Sequence, residues 1–247
     1  MNANLIFGIR PVMEAVGAGK QIDKVMIKKG SEGPLLGQLR DLCRRHRIQV
    51  QEVPVEKLNR LTRNAAHQGV VAQTAAIEYA ELSEVLEAVK ESGETPLVVV
   101  LDGVTDVRNF GAIARSAECA GAHALVVPLK NAAPVNADAI KTSAGALNLI
   151  PVCRVGSIRN TLRYLQEEGL RTVAATEKSN TLLFEADLAG PTAFVMGSED
   201  TGISKEVLKM CDVKLAIPLV GAIESLNVSA AAAVLLFEAV RQRKMEM

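Results

Sequence analysis

The chain has 247 residues, 49% of them hydrophobic, with 28 basic and 28 acidic side chains, enough apolar material for one large core or two smaller ones without covalent staples. Its four cysteines, Cys43, Cys119, Cys153 and Cys211, form no CxxC pair, which argues against a zinc site, a thioredoxin-type motif or a secreted disulfide framework and fits a reducing cytoplasm. The first eight residues lack the basic and apolar regions of a signal peptide, and the longest apolar run, 230–237, is far short of the roughly 20 residues that span a bilayer; a cytoplasmic protein with no membrane association is expected.

Charge is segregated along the chain. Residues 1–75 carry 12 Lys and Arg against 6 Asp and Glu, which leaves 16 against 22 for 76–247. The first segment is therefore suited to a polyanion such as RNA, the bland alternative being a solvated basic face. In that segment Gly8-Ile9-Arg10-Pro11 reads as a helix start, with Pro11 in the first turn. Beyond it come a strand over 24–27, a helix over 35–47, a strand over 48–50, a short helix over 53–61 and a strand over 69–72. The alternation predicts a small α/β domain over 1–75.

Residues 76–96 turn Glu-rich and end on Gly93 and Pro96, a linker by composition, with a helix over 82–90 belonging either to the linker or to the second domain. From 97 onward, strands are predicted over 97–101, 124–127, 149–152, 172–175, 193–196 and 214–217. Helices are predicted over 111–121, 136–143, 158–168, 205–211 and 227–243. This is the pattern of a doubly wound parallel sheet, whose ligands sit beyond the carboxyl ends of the strands.

Three of the loops after strands concentrate polar and glycine residues. Asp102 to Arg115 turns from strand to helix, and the free N–H groups there suit an anion; as an ordinary turn, Asn109 would be its cap. Gly197-Ser198-Glu199-Asp200-Thr201-Gly202 lets backbone approach a ligand around an acidic pair, or simply leads to a helix capped by Ser204. It has neither dinucleotide-fingerprint nor P-loop spacing. Pro218 to Ser229 enters an Ala-rich helix that Ser225 or Asn227 can cap. No GxSxG elbow surrounds Ser225, so a hydrolase triad is unsupported.

Together, Asn109-x-Gly111-Ala112-Ile113-x-Arg115, Gly197-x-Glu199-x-x-Gly202 and Ile217-Pro218-x-x-Gly221-x-x-x-Ser225-Leu226-Asn227-Val228-Ser229 resemble the SpoU (TrmH-type) RNA ribose 2′-O-methyltransferases of the SPOUT class, over roughly 97–243. Residues 7–12 and 67–72 also look like the substrate-binding domain, of ribosomal-protein L30e type, of members that methylate guanosine in 23S rRNA. The sequence departs from the commonest pattern at Val107, where many members carry proline.

The resemblance implies an α/β fold with a SPOUT-type parallel sheet tied in a trefoil knot over 97–247, S-adenosyl-L-methionine as cofactor, and a homodimer acting on RNA. It places Arg115 at the ribose hydroxyl, with Asn109, Glu199, Ser225 and Asn227 organising the site and backbone of Gly197, Ile217 and Leu226 holding the cofactor; no metal is implied. A guanidinium with its pKa above ~12 is a poor base, so Arg115 is better cast as a phosphate ligand and stabiliser of developing negative charge. Basic residues Arg10, Lys28, Lys29, Arg44, Arg45, Arg60 and Arg63 are candidate RNA contacts, and a lone histidine such as His67 is more often structural. The alternatives are tRNA or an rRNA adenosine as substrate, and a non-catalytic RNA-binding protein on the same fold.

Overall fold

The computed structural model describes residues 5–245, so the amino-terminal reading of the first four residues lies outside it. The chain forms two compact units, Met1–Glu78 with Pro134–Asn136, and Tyr79–Ala133 with Ala137–Met247.

The first unit runs β1 (Leu5–Phe7), α1 (Ile9–Gly17), β2 (Ile22–Lys28), α2 (Pro34–Arg45), β3 (Gln49–Val53), α3 (Val55–Thr62) and β4 (Val70–Thr74). Its sheet order is β1-β4-β2-β3, with β2 parallel to β3 and antiparallel to β4. The strand period of two divides the core. Val25, Ile27, Val70 and Ala72 pack with α1 and α2 through Val12, Val16, Leu36 and Leu39, while Met26 and Val71 face Leu58 of α3. One expected boundary shifts here, and one strand is additional to those expected. Strand β3 runs on to Val53, and α3 starts only at Val55 because Pro54, which has no N–H for a ladder, stands between them. Strand β1 is three partly buried residues at the sheet edge, too short to show a period.

The second unit runs α4 (Leu82–Ser92), β5 (Leu97–Asp102), α5 (Val107–Cys119), β6 (Ala124–Pro128), α6 (Ala137–Thr142), β7 (Val152–Val155), α7 (Ile158–Glu167), β8 (Arg171–Ala175), β9 (Thr192–Gly197), α8 (Lys205–Met210), β10 (Val213–Leu215) and α9 (Val228–Met245). Single 3-10 turns cover Ala146–Asn148 and Leu183–Glu185. All six strands are parallel, in the order β10-β8-β9-β5-β6-β7, as the unbroken apolar run in β5 requires of a strand covered on both faces. Helix α4 belongs to this unit, where Leu82 and Leu86 pack with Leu162 and Leu165 of α7.

Three boundaries differ from expectation. The strand placed at 149–152 starts at Val152, since Ala146–Asn148 turn as 3-10 helix and leave Leu149 72% exposed. Helix α5 begins at Val107 rather than 111, because Asp106 caps it. Strand β10 ends at Leu215, short of 217.

Helices α5, α6 and α9 pack as a group: Phe110, Ile113, Ala114 and Ala117 of α5 are buried, as are Ala232, Leu235, Leu236 and Ala239 of α9. Gly111 permits the α5–α6 approach, since a Cβ there would stand 2.7 Å from the Thr142 Cβ and 3.0 Å from the Ala139 carbonyl oxygen. The chain builds outward from β5 through β6 and β7, then fills the other side with β8, β9 and β10. The switch point, where such sheets bind ligands, lies beyond the carboxyl ends of the paired strands β5 and β9.

Candidate active site

At that switch point Asp102 is in register with Gly197, so the loops after β5 and β9 leave the sheet side by side. The β5 loop ends on Asp106, whose Oδ1 accepts from the backbone N–H of Arg108 (2.9 Å) and Asn109 (2.8 Å). Asp106, not Asn109, is the cap. Freed of capping, the Asn109 side chain takes another role.

The β9 loop folds back on itself. Ser198 and Gly202 exchange backbone hydrogen bonds of 3.2 and 2.9 Å, and the Ser198 and Thr201 hydroxyls stand 2.8 Å apart. Gly197 is required for this, because a Cβ there would lie 2.1 Å from both the Gly202 carbonyl carbon and the Ile203 nitrogen. Glu199 and Asp200 are held exposed at the tip. Ser204 occupies the position before α8, but its side chain makes no capping bond; instead its N–H donates to Asp102 Oδ2 at 2.8 Å.

Asn227 closes the site. Its Oδ1 accepts from Ser229 N (3.0 Å) and Ala230 N (3.4 Å), capping α9, and from the Ser229 hydroxyl at 2.5 Å. Its Nδ2 donates to Asn109 Oδ1 at 3.0 Å and to Glu199 Oε1. One amide thus joins three loops distant in sequence. The side chains of Ser225 and Arg115 are exposed and make no hydrogen bond or ion pair among the described residues. Ser225 is therefore not part of the hydrogen-bonded group, and the Arg115 cation is uncommitted.

Between β10 and α9, residues 217–226 make no backbone hydrogen bond among the described residues, and all but the first two are exposed. This leaves a run of backbone groups, including those of Ile217 and Leu226, without backbone partners up to Asn227, with exposed Leu219 and Leu226 among them.

In the first unit, all seven candidate RNA contacts are exposed. Arg10, Lys28 and Lys29 gather where β2 ends and β4 begins, fixed by backbone bonds from Gly8 N to Val70 O (3.0 Å) and from Lys28 N to Gly69 O (2.8 Å). Arg63, with φ 54°, opens the loop leading into β4, and Arg60 lies in the last turn of α3. Arg44 and Arg45 end α2 instead, before β3 enters opposite Lys24 at the other end of the sheet; Arg44 pairs with Asp41 at 3.2 Å. His67 is buried with both ring nitrogens engaged: Nδ1 accepts from Gly69 N (3.0 Å), so Nε2 donates to Asn59 Oδ1 (2.8 Å). It is a structural residue. Sequence reasoning missed Asp102 and Asp106. Asp106 was findable as a helix-capping residue just ahead of the apolar spacing Phe110, Ile113, Ala114 and Ala117, and Asp102 as the first polar residue after a buried run.

Comparison with known proteins identifies the family. Residues 96–237 match the SpoU rRNA Methylase family, and residues 5–80 match the RNA 2′-O ribose methyltransferase substrate binding family. The 23S rRNA (guanosine-2′-O-)-methyltransferase RlmB of Photorhabdus laumondii is 38% identical over 245 residues, covering 98% of this chain and 99% of its own. The protein of the same description from Xylella fastidiosa is 37% identical, covering 96% of this chain and 96% of its own. The crystal structure of the SpoU methyltransferase AviRb from Streptomyces viridochromogenes in complex with AdoMet superposes with a TM-score of 0.62 at 27% identity, covering 98% of this chain and 90% of that one. Sheet, joined loops and full-length likeness place the chain in one family: it is a member of the SpoU rRNA methylases, with the α/β fold and substrate-binding domain that its motifs led us to expect.

Proposed function

We propose that the protein transfers the methyl group of S-adenosyl-L-methionine to the ribose 2′-hydroxyl of a guanosine in 23S rRNA. The observation that carries this reading is the Asn109–Asn227–Glu199 junction at the β5/β9 switch point, in a chain that aligns end to end with enzymes named for that reaction. The donor set fits the cofactor. Open backbone groups over 217–226 suit an adenosyl group read through main-chain hydrogen bonds, and apolar Leu219 and Leu226 suit a purine face.

When bound, S-adenosyl-L-methionine supplies a sulfonium methyl group. The protein's own residues have two tasks: alignment of the ribose oxygen and removal of its proton. Arg115, an uncommitted cation on α5, holds the RNA phosphate and stabilises negative charge as it develops on the 2′-oxygen. Asn109, Asn227 and Glu199 fix the walls of the site, and Ser225, outside their hydrogen-bonded group, faces the substrate. The proton leaves to water or to the phosphate that Arg115 holds. The basic end formed by Arg10, Lys28, Lys29 and Arg63, more than Arg44 and Arg45, supplies phosphate contacts in the first unit, and a chain with 3% aromatic residues and no tryptophan has little for base stacking.

The working unit on this reading is a homodimer, with the chain from β9 to α9 tied in a trefoil knot, acting in the cytoplasm. Exposed Val220, Ile223, Val234 and Phe237 on the 217–226 segment and α9 support a subunit interface. No helix of the described residues is long and apolar enough to cross a membrane.

The substrate is tested by incubating the protein with methyl-labelled cofactor and either unmodified 23S rRNA or bulk tRNA. Label confined to 23S rRNA is expected; label confined to tRNA replaces the substrate while keeping the chemistry.

A further inference from the structure

We propose that Asp102 is a positioning residue for methyl transfer, its carboxylate clamping the loop that carries Glu199 to the end of β5. The proposal rests on the reading that Glu199 serves the reaction. Asp102 is the last residue of the central strand and is half-buried opposite Gly197. Its Oδ2 accepts from Ser204 N at 2.8 Å, 102 residues on. That bond spans the base of the folded-back turn Ser198–Gly202, whose own backbone pair closes it above.

The turn is therefore tied at one side to β9 through Gly197 and at the other to β5 through Asp102. Glu199 rides on its tip and meets Asn227, which meets Asn109. Each further link in this chain is an exposed side-chain hydrogen bond, and exposed bonds of this kind contribute little alone. The Asp102 bond, exposed as well and like the Glu199 bond accepted by a carboxylate, differs in that its donor is a backbone N–H, the one that α8 itself leaves free. It sets where the turn stands, and through the turn it sets where the Glu199 carboxylate stands relative to α5. Misplacement of a site group by about 1 Å is enough to cost on the order of a hundredfold in rate.

A double-mutant cycle reads this directly. At saturating RNA and cofactor, Asp102→Ala is expected to lower kcat about tenfold or more with little change in either KM, whereas Asp102→Asn, which keeps an acceptor oxygen, recovers most of the rate. Ser204→Pro supplies an independent arm: φ at Ser204 is −59°, which suits proline, and the substitution removes the donor N–H and sets the ring Cδ where that hydrogen pointed, so Asp102 Oδ2 can no longer close on it. It is expected to reproduce the loss. In a Glu199→Ala background, Asp102→Ala should cost nothing further, because both changes remove the same placement. Multiplying losses, or a normal kcat in Asp102→Ala and Ser204→Pro with only a lowered Tm, overturns the proposal. Should Glu199→Ala itself turn over at the wild-type rate, the reading of Glu199 falls together with it; normal turnover in the Asp102 and Ser204 variants beside an impaired Glu199→Ala sinks the clamp alone.

Discussion

Asn227 does two things with one side chain: Oδ1 caps α9 and Nδ2 joins Asn109 to Glu199. The two are separable by substitution. Asn227→Ala removes both, costing about 1 kcal/mol for the cap and so roughly 2–4 °C in Tm for a chain of this size, along with most of the activity. Asn227→Asp keeps the capping oxygen but replaces the donor with a carboxylate facing Glu199; scanning calorimetry should find Tm largely restored while methyl transfer stays lost. Arg115 has a different signature. Exposed and uncommitted, it contributes nothing visible to the fold, so Arg115→Ala should lower turnover by at least about a hundredfold, in the range for loss of one electrostatic group, while calorimetric titration finds cofactor affinity nearly unchanged. Thiol chemistry checks the burial: burial pushes Cys153 and Cys211 up to about 12 and Cys43 up to about 11, leaving them protonated at roughly pH 8, so exposed Cys119 alone should react with a thiol reagent in the native protein. At this scale the sequence was a partial guide. It singled out Asn109 and Asn227 as organisers of the site but, in offering an ordinary turn as the alternative, gave the cap to Asn109 and not Asp106, because side-chain-to-backbone bonds two residues apart look alike from any nearby Asp or Asn.

Among the elements, the β9–α8 connection has least room. With only 2.1 Å between a Cβ at 197 and the backbone at Gly202 and Ile203, Gly197→Ala must displace the Glu199 turn. We expect loss of both cofactor binding and transfer, with the unfolding transition still cooperative; full cofactor affinity would remove Gly197 from the binding surface. The opposite end of the sheet carries a latch of another kind. The Asp212 carboxylate, despite partial burial that works against its charge, is held below its ordinary pKa by hydrogen bonds from Thr172 N (2.8 Å), the Thr172 hydroxyl (2.7 Å) and Gln166 (3.0 Å). A depressed folded-state pKa contributes stability that is present above the ordinary carboxylate range and lost as pH falls through the folded value. The Tm difference between wild type and Asp212→Asn should thus shrink as pH falls below that range. The buried strands were legible because a strand covered on both faces must be apolar throughout, as β5 and β9 are. The short edge strands β1 and β10 were missed or misplaced because three residues hold no period.

At the scale of the whole molecule, no local pattern could bring Asn109, Glu199 and Asn227 together, since their bonds span 118 and 28 residues. Periodicity pointed to a parallel sheet and to the general rule that ligands sit at its carboxyl edge; motif resemblance, not physics read from the residues, said which loops meet. The proposed homodimer rests on exposed apolar side chains instead. Phe237, 48% exposed, and Val234, 38% exposed, stand on the helix whose other side is buried core, so Phe237→Glu should shift the protein from dimer to monomer by light scattering and abolish transfer with the fold intact. A wild-type monomer with full activity would refute the dimer. The reaction itself is read most directly from its product. After incubation with labelled cofactor and unmodified 23S rRNA, the RNA is digested to nucleosides and the label identified by mass spectrometry. We expect one species, 2′-O-methylguanosine, whose phosphodiester resists alkali; label on a base nitrogen or carbon, or none on RNA, would contradict the proposed reaction.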